Sequence, residues 1–367
     1  MRIALLTYST KPRGGVVHTL ALAEALAAHG EDVTVWTLGR GGDSTFFRRV
    51  DSSVRVRVVP FAVVDGESVG QRIVRSIAAL RAAFEPALYD IVHAEDCISA
   101  NAVSGCIRTI HHLDTFTTPE LVRCHERAIV TPVARICVSE AVAAEVRSGW
   151  GFSPVVIPNG VDSGRFAAAA GSDPAASAAR DSWTSELGPY VLAVGGIEPR
   201  KGTIDLLEAY AMLRQTHPEH SLVLAGGETL FDYSDYRRDF ERRARELDVD
   251  YRLLGVVDDD ALPSLVAASD VLSFVSMKEG FGLAAMEALA AGVPVVARDL
   301  PVLREVFEGT MDYAADVPAI AAALARALDG SRDADRASAG RALAARYTWA
   351  AAADAHLELY REVLASQ

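Results

Sequence analysis

The strongest constraint on the fold is an alternation of short apolar segments with helix-forming ones along most of the chain. RIALLTY at 2–8 and VTVWTL at 33–38 are strand-like, and they flank an amphipathic helix that follows a glycine-containing turn. Strands that alternate with helices indicate a mostly parallel sheet with right-handed crossovers. The sequence therefore predicts an α/β protein with doubly wound sheets.

The alternation occurs twice, on either side of a segment of different composition. Further strands are predicted at 54–59, 90–93, 107–111, 134–140, 155–162, 190–196, 221–227, 251–257 and 271–276. The segment 167–188 is rich in Ala, Ser, Gly and Asp and is interpreted as a linker with a short helical piece. We predict an N-terminal domain at 1–166 and a C-terminal domain at 189–348. Ligands of such sheets bind at the carboxyl ends of the strands, which predicts a cleft between the domains.

Length and composition limit the functional class. The chain has 367 residues, enough for two domains, and a net charge of −13, which argues against a nucleic-acid binder with a broad basic surface. Its four cysteines form no CxxC pair, so a structural zinc site is not expected and a reducing compartment is favoured. The N-terminus enters a strand directly, without the pattern of a signal peptide, and predicts a cytoplasmic protein.

One stretch, SMKEGFGLAAMEALAAGVPVVA at 276–297, reads as a turn, a helix and a buried strand. Gly280 and Gly282 allow a tight turn, strong helix formers follow from Leu283, and Gly292 ends the helix. A helix that begins after such a turn directs free N–H groups and the positive end of its dipole at one point. The pattern is typical of a phosphate-binding site.

Two carboxylates belong to this stretch. Glu279 precedes the helix and Glu287 lies within it. Eight helical positions turn about 80° past two full turns and rise about 12 Å, so the two are not a close pair that shares a proton. They could contact two separate parts of one long ligand. Alternatively, Glu279 is a solvated loop charge and Glu287 belongs to a polar helix face.

Other local patterns are less specific. Gly14-Gly15 after the first strand either lets the backbone approach a substrate or forms only a tight turn, since neither GxGxxG nor a P-loop is present. Thr203 is a predicted helix N-cap. The acidic run at 258–260 is interpreted as capping of the helix that follows, and no metal site is predicted.

Several segments together resemble a known family. VGGIEPRKG, LAGG, LLGVV, SDVLSFVSMKEGFGLAAMEALAAGVPVVARDLPVLREV and the closing YTWAAAADAHLELYREVL are similar to the nucleotide-sugar half of retaining glycosyltransferases of family 4 (GT4). IPNGVD at 157–162 resembles the end of that family's first domain. The resemblance implies the GT-B fold, with two Rossmann-like domains facing a central cleft and a C-terminal helix at 349–367 that packs back on the first domain. It also implies a metal-independent hexosyltransferase that needs no cofactor.

The co-substrates also follow from the resemblance. The donor would be a nucleotide-diphosphate sugar of the UDP or GDP type, since both occur in similar chains. The acceptor, whether a small molecule, a glycan or a lipid, stays unidentified. A lipid acceptor would require peripheral membrane contact.

The resemblance assigns roles to residues. Lys201 would bind the donor diphosphate, Glu279 the hydroxyls of the donor sugar and Glu287 those of the ribose, and His111 would lie near the reacting sugar. The predicted catalytic residues are His111, Lys201 and Glu279. The predicted donor-binding residues are Gly14, Gly15, Gly196, Arg200, Lys201, Glu279, Gly280, Phe281, Gly282, Leu283 and Glu287.

Two positions depart from the family pattern. The family usually has Arg where this chain has Gly196, and whether Arg200 replaces that cation is open. The family histidine is often followed by Asp, whereas His112 follows His111 here and Asp114 comes two positions later. In this family the leaving phosphate itself is thought to take the acceptor proton.

Other interpretations stay open on the sequence alone. Lys201 could be a surface lysine of a turn, and His111 a satisfied buried imidazole at the end of a strand. A sugar-nucleotide epimerase with the same fold and a non-catalytic two-lobed binding protein are the alternative functions.

Overall fold

Parallel strands followed by helices make up both halves of the computed structural model, which describes residues 1–114, 116, 118–227, 233–330 and 333–366. The chain divides into two units. Unit 1 comprises Met1–Gly160 with the residues from Tyr347 onward, and unit 2 comprises Val161–Arg346. Each unit contains one sheet in which the strand pairs are parallel, which confirms the predicted α/β class.

The strands of the described residues fall into a seven-stranded sheet in unit 1 and a six-stranded sheet in unit 2. They are β1 (Arg2–Leu6), β2 (Asp32–Arg40), β3 (Arg55–Phe61), β4 (Ile91–Ala94), β5 (Ile107–Ile110), β6 (Ala134–Cys137), β7 (Val155–Val156), β8 (Tyr190–Val194), β9 (Ser221–Ala225), β10 (Tyr251–Gly255), β11 (Val271–Phe274), β12 (Val295–Arg298) and β13 (Asp312–Ala314). Their spatial orders are β3-β2-β1-β4-β5-β6-β7 and β10-β9-β8-β11-β12-β13.

The α-helices follow the strands along the chain. They are α1 (Gly14–Ala28), α2 (Val69–Ala83), α3 (Cys97–Ala102), α4 (Pro119–Val130), α5 (Glu140–Trp150), α6 (Ser163–Ala169), α7 (Pro174–Leu187), α8 (Thr203–Leu213), α9 (Ser234–Glu246), α10 (Leu262–Ala268), α11 (Leu283–Ala290), α12 (Pro301–Phe307), α13 (Val317–Asp329), α14 (Ala334–Arg346) and α15 (Trp349–Ala365). Among the described residues, no helix combines the length and the apolar character needed to cross a bilayer.

Strand β1 shows why the central strands are apolar throughout. Ile3 and Leu5 belong to the core cluster that contains residues of α1 and α15, whereas Ala4 and Leu6 belong to the cluster on the opposite face of the sheet. Successive side chains of a strand point to opposite faces, so a sheet covered by helices on both sides needs apolar residues at every position.

The strand order determines which loops meet. In unit 1, β1 lies beside β4, and β4 beside β5, so the loops after these strands share one edge of the sheet. In unit 2, β11 lies between β8 and β12. The loops that follow these central strands carry most of the predicted site residues, as expected for doubly wound sheets.

The structure differs from the sequence interpretation in two local respects. The segment 167–188, interpreted as a linker with a short helical piece, contains the end of α6 and the whole of α7, a helix of 14 residues. Asp173 caps the N-terminus of α7, and Pro174 is its first residue. Only Leu187 of α7 is buried, so the helix carries little apolar periodicity. The strand predicted at 155–162 is confined to β7, because Pro158 has no N–H to donate to a sheet ladder.

The C-terminal region consists of two helices with a short break between them. Helix α14 ends at Arg346 and α15 begins at Trp349, with the Thr348 side chain accepting a hydrogen bond from the Ala351 N–H. Helix α15 belongs to unit 1, where Leu357 and Tyr360 join the core cluster that contains residues of α1.

Candidate active site

The turn before α8 and the loop after β11 are joined by backbone contacts. The Met277 N–H donates to the Arg200 carbonyl at 2.7 Å. Gly202 adopts φ +64°, and a Cβ there would lie 2.5 Å from the carbonyl oxygen of Val275, so only glycine fits. Gly202 occupies the N-cap position of α8. The predicted N-cap at Thr203 is wrong, because Thr203 is already the first helical residue.

This arrangement brings three predicted site residues together. Lys201 Nζ donates to Glu279 Oε1 at 2.6 Å, and an Arg200 guanidinium nitrogen lies 3.3 Å from the same oxygen. Arg200 also contacts Glu198 Oε1 at 3.0 Å. The side chains of Lys201 and Glu279 are only 19% and 11% exposed, so Lys201 is not a freely solvated surface lysine.

The charge state of Glu279 follows from these neighbours. Burial by itself raises the pKa of a carboxyl group, but here the charges of Lys201 and Arg200, with hydrogen bonds from Lys201 and Ser276, lower the pKa of Glu279 to about 2. Glu279 is therefore a carboxylate over the whole physiological pH range. It is not a solvated loop charge.

Helix α11 begins directly after the loop that carries Glu279. Gly282 has φ +102°, and a Cβ at this position would lie 3.0 Å from the Phe307 ring, so the turn requires glycine. Within the described part of the chain, no side chain caps the N-terminus of α11. Its first N–H groups and its dipole are thus available to an anion. The helix ends at Ala290, and Gly292 follows with φ +71°, as predicted.

Glu287 has different surroundings from Glu279. It lies on α11, and the charges that act on it are those of Arg165, Asp259 and Asp162. Burial raises its pKa to about 7, Arg165 lowers it, and the two aspartates raise it. Arg165 is already paired with Asp259, at 2.9 Å, which leaves Glu287 incompletely compensated.

The acidic run at 258–260 has another role than predicted. Helix α10 has no side-chain cap among the described residues, and the Ala261 N–H donates to the backbone carbonyl of Asp258. Asp259 pairs with Arg165 instead. The capping interpretation is wrong because the guanidinium of Arg165, on α6, is a stronger partner for the Asp259 carboxylate than a neutral N–H group.

The backbone at Gly196 lies against the loop after β9. A Cβ on Gly226 would lie 2.6 Å from the Gly196 backbone nitrogen, so the two loops approach as closely as their backbones allow. Gly196 itself supplies no cation, and the guanidinium of Arg200 contacts Glu279.

In unit 1, the predicted glycine loop and the predicted histidine are neighbours. Gly14 and Gly15 are the first residues of α1, and a Cβ on Gly15 would lie 3.5 Å from the His111 ring. His111 follows β5 directly, and 15% of its side chain is exposed. His112 contacts Asp114 instead, at 3.0 Å.

The sequence interpretation missed a buried polar cluster behind His111. Glu95 Oε2 lies 3.2 Å from His111 Nε2 and 3.5 Å from His18 Nε2, and His18 Nδ1 lies 2.9 Å from Asn159 Oδ1. The side chains of His18 and Glu95 are fully buried. A charged residue directly after β4, the strand between β1 and β5, was the sequence signal for Glu95.

Electrostatics in this cluster favours neutral groups. Burial raises the pKa of Glu95 to about 7, although the charges of His18 and Arg108 lower it. Burial also lowers the pKa of His18 to about 3 and that of His111 well below its ordinary value. One atom each from His18, Glu95 and His111 lies within 4.8 Å of the others, a set that could also hold a metal ion.

Comparison with known proteins identifies the family. The profile of Glycosyltransferase Family 4 matches residues 12–165, and that of Glycosyl transferases group 1 matches residues 178–341. The phosphatidyl-myo-inositol mannosyltransferase of Mycobacterium tuberculosis is 30% identical, over 100% of this chain and 98% of that protein. The D-inositol 3-phosphate glycosyltransferase of Salinispora arenicola is 28% identical, over 100% of this chain and 92% of that protein.

A solved structure supports the fold. The crystal structure of Anabaena HepE in complex with UDP and glucose superposes with a TM-score of 0.75 at 20% identity, covering 99% of this chain and 100% of that chain. Because the matched relatives are named glycosyl- and mannosyltransferases, neither the epimerase nor the non-catalytic alternative is favoured. The chain is a glycosyltransferase that belongs to the GT4 family and has the GT-B fold.

Proposed function

We propose that this enzyme is a retaining glycosyltransferase that transfers a sugar from a nucleotide-diphosphate donor to a hydroxyl group of an acceptor, in the cytoplasm. The observation that carries the proposal is the convergence of Lys201 and Arg200 on Glu279, in the loop that leads into α11. Two cations, a carboxylate and an uncapped helix N-terminus are what a sugar diphosphate needs: positive charge for the phosphates and an acceptor for the sugar hydroxyls.

Donor binding then exchanges partners within this cluster. The diphosphate takes over Lys201 and the N–H groups at the start of α11, while Glu279 accepts hydrogen bonds from the hydroxyls of the sugar. Because negative charge develops on the departing diphosphate, Lys201 stabilises the transition state more than the bound donor. Arg200 supplies the second cation, which the family pattern places at the position of Gly196 and which this chain lacks there.

The remaining predicted residues have separate parts in the reaction. Glu287 binds the ribose hydroxyls, and the backbone at Gly280–Leu283 contacts sugar and phosphate. The leaving phosphate takes the acceptor proton, so this chain supplies no general base, and the reaction proceeds with no metal ion. Gly14 and Gly15 lie beside the diphosphate, and His111 contacts the reacting sugar.

For the acceptor, we propose an inositol-containing molecule. The name of the mycobacterial relative specifies phosphatidyl-myo-inositol, and the name of the Salinispora relative specifies inositol 3-phosphate. These two differ in the lipid and share the inositol ring. A lipid acceptor would bring the enzyme to a membrane surface, whereas a soluble inositol phosphate would not.

A donor screen tests the first part of the proposal. Thermal unfolding of the purified protein is measured with UDP, GDP and their glucose and mannose conjugates. We expect one nucleotide series to raise the melting temperature, since a ligand that binds only the folded state stabilises it by RT ln(1 + [L]/Kd). If no nucleoside diphosphate or nucleotide sugar shifts the transition at millimolar concentration, the proposal is wrong.

An acceptor assay tests the rest. The donor found in the screen is incubated with phosphatidylinositol vesicles, with inositol 3-phosphate, and with neither. Proton NMR of the product reports the anomeric configuration, and we expect that of the donor to be retained. An inverted product would contradict the retaining mechanism, and transfer to neither inositol compound would contradict the acceptor class while leaving the donor result intact.

A further inference from the structure

The buried cluster in unit 1 contains polar atoms that the predicted mechanism does not use. His18 Nε2 and Glu95 Oε1 are buried and have no hydrogen-bond partner among the residues that the structure describes. His18 Nε2 faces Glu95 Oε2 at 3.5 Å, and the same carboxylate oxygen contacts His111 Nε2 at 3.2 Å. Buried polar groups are nearly always paired, so the arrangement of protons here needs an explanation.

Asn159 determines how His18 is protonated. The Asn159 Oδ1 lies 2.9 Å from His18 Nδ1, and an amide oxygen only accepts hydrogen bonds, so Nδ1 carries the proton. In the neutral ring, Nε2 then has a lone pair, and this lone pair faces the Glu95 carboxyl group. Two lone pairs would repel each other unless a proton lies between them.

His93 does not supply that proton. Its Nε2 is 3.6 Å from Glu95 Oε1, but the ring is already engaged by the Tyr360 hydroxyl at 2.6 Å and the Thr109 hydroxyl at 2.7 Å. The proton is therefore one that Glu95 and His18 share. Glu95 then has no second proton to donate to His111, and it accepts from the His111 Nε2–H.

Donation of the Glu95 proton to His111 instead of to His18 is unfavourable. If Glu95 donated its proton to His111 Nε2, His18 Nε2 would stay buried and unpaired, whereas His111 is partly exposed. Leaving a fully buried acceptor unsatisfied costs more than leaving a partly solvated one. Within the described residues, His111 Nδ1 makes no hydrogen bond, so it is the ring nitrogen left for a ligand.

We propose that Asn159, His18 and Glu95 form a buried hydrogen-bond relay that holds His111 in its Nε2–H tautomer, so that His111 Nδ1 accepts a hydrogen bond from a substrate hydroxyl. This inference rests on the proposed function, in which His111 contacts the reacting sugar. Glu95 and His18 are positioning residues, because they act through His111 and fix both its tautomer and its ring orientation.

Histidine NMR tests the relay without any substrate. Protein labelled with ¹⁵N in histidine is recorded in two-bond ¹H–¹⁵N spectra, and the His111 signals are assigned with a His111→Asn variant. We expect wild-type His111 to show a protonated Nε2 and an unprotonated Nδ1 at neutral pH. A protonated Nδ1, or an imidazolium ring, would overturn the proposal.

Three variants sharpen this test. Glu95→Gln should shift His111 toward the Nδ1–H form, because Oε2 is the atom that contacts both rings, and the amide nitrogen that takes its place to satisfy His18 donates to His111 as well. Glu95→Met should release the ring, giving a mixture of tautomers. His18→Leu should shift His111 toward the Nδ1–H form, because His111 is then the acceptor left for the Glu95 proton. This variant provides the test if Glu95→Met does not fold. Exposed Glu85→Met is the matched control.

Turnover should follow the tautomer. We expect Glu95→Gln and Glu95→Met each to lower kcat by about tenfold or more, with little change in the KM for the donor. An unchanged His111 spectrum in Glu95→Met would overturn the relay, whatever the activity. The relay would also be overturned if the purified protein contained one equivalent of a transition metal and its removal by chelation altered the His111 signals. His18, Glu95 and His111 would then be metal ligands.

Discussion

Glu279 and Glu95 are the same residue type in similar places, yet their pKa values are shifted in opposite directions. Each follows a strand that has a parallel neighbour on both sides, β11 in unit 2 and β4 in unit 1. Glu279 has its pKa lowered to about 2, and Glu95 has its pKa raised to about 7. Burial raises both, so the difference comes from the partners: two cations beside Glu279, and neutral imidazoles beside Glu95.

The comparison indicates two kinds of site. The cluster around Glu279 holds fixed charges that can be redistributed when an anion arrives, which suits the binding of a diphosphate. Among the described residues, the cluster around Glu95 has no fixed positive charge in direct contact with the carboxyl group. It has directional hydrogen bonds instead, which suits the orientation of a single ring. Removing a charge should therefore affect the first cluster more strongly than the second.

The largest expected effect follows from removing the cation of the first cluster. Lys201→Met should lower kcat/KM for glycosyl transfer by about 100-fold, or about 2.7 kcal/mol of transition-state stabilisation, because the leaving diphosphate loses its closest positive charge. Steady-state kinetics with the donor from the screen measure this effect. Arg200→Met should have a smaller effect in the same direction.

The matched control for Lys201→Met removes a cation–carboxylate pair elsewhere in unit 2. Arg304 contacts Asp299 at 2.5 and 2.8 Å on the surface, so Arg304→Met should leave kcat/KM unchanged. Equal losses in both variants would mean that the effect of Lys201 is one of general stability. A Lys201→Met enzyme with normal kinetics would rule out the proposed donor site.

The second prediction concerns the pairing itself. Lys201→Met leaves a carboxylate with one cation fewer, and Glu279→Gln leaves two cations without their carboxylate. The double variant should be more stable than the sum of the two single effects implies, by about 1–2 kcal/mol, because neither charge is left unpaired. Urea unfolding of all four proteins measures this coupling; strictly additive effects would show that the contact is incidental.

These two clusters also show how far the sequence could be interpreted. The alternation of β-strands and helices comes from apolar runs, which local composition reveals, and the resemblance to the GT4 family marks Lys201, Glu279 and Glu287. The contact between Lys201 and Glu279 depends on β8 lying beside β11, a long-range pairing that local sequence does not encode.

The cluster around Glu95 shows what was missed. Its members come from α1, the end of β4, the end of β5 and the segment after β7, and they share no motif. Only the order of the strands brings them together. A buried carboxyl group with neutral partners is invisible in a sequence, because its charge state depends on neighbours that the fold supplies.

The third prediction uses the pKa of Glu287, which is raised from 4.5 to about 7. The folded state binds this proton more tightly than the unfolded state, so the contribution to stability is complete below pH 4.5 and is lost as the pH rises through 7. The free energy of unfolding of wild type should fall relative to Glu287→Gln by on the order of 2 kcal/mol across this interval.

Urea unfolding of both proteins at pH 4.5, 6 and 8 measures that difference. Glu95 contributes a slope of the same sign, but it is present in both proteins and cancels in the comparison. Exposed Glu186 on α7 provides the control, since Glu186→Gln should keep the wild-type pH dependence. Parallel curves for wild type and Glu287→Gln would contradict the raised pKa of Glu287.

The smallest effect on stability is expected at the glycine loop of unit 1, where the same substitutions should raise stability and lower activity. A Cβ at Gly14 would contact nothing within 4 Å, and one at Gly15 would be at an ordinary 3.5 Å from His111. Both residues are helical, so Gly14→Ala and Gly15→Ala should stabilise the protein by up to about 0.5 kcal/mol. Transfer should nevertheless fall about tenfold, because the added methyl groups hinder the diphosphate that this backbone is proposed to approach.

The control is Gly149, a helical glycine of α5 with equally open surroundings. Gly149→Ala should stabilise the protein and keep full activity. If Gly14→Ala and Gly15→Ala also keep full activity, these glycines form only a turn, and the donor is bound without the first loop of unit 1.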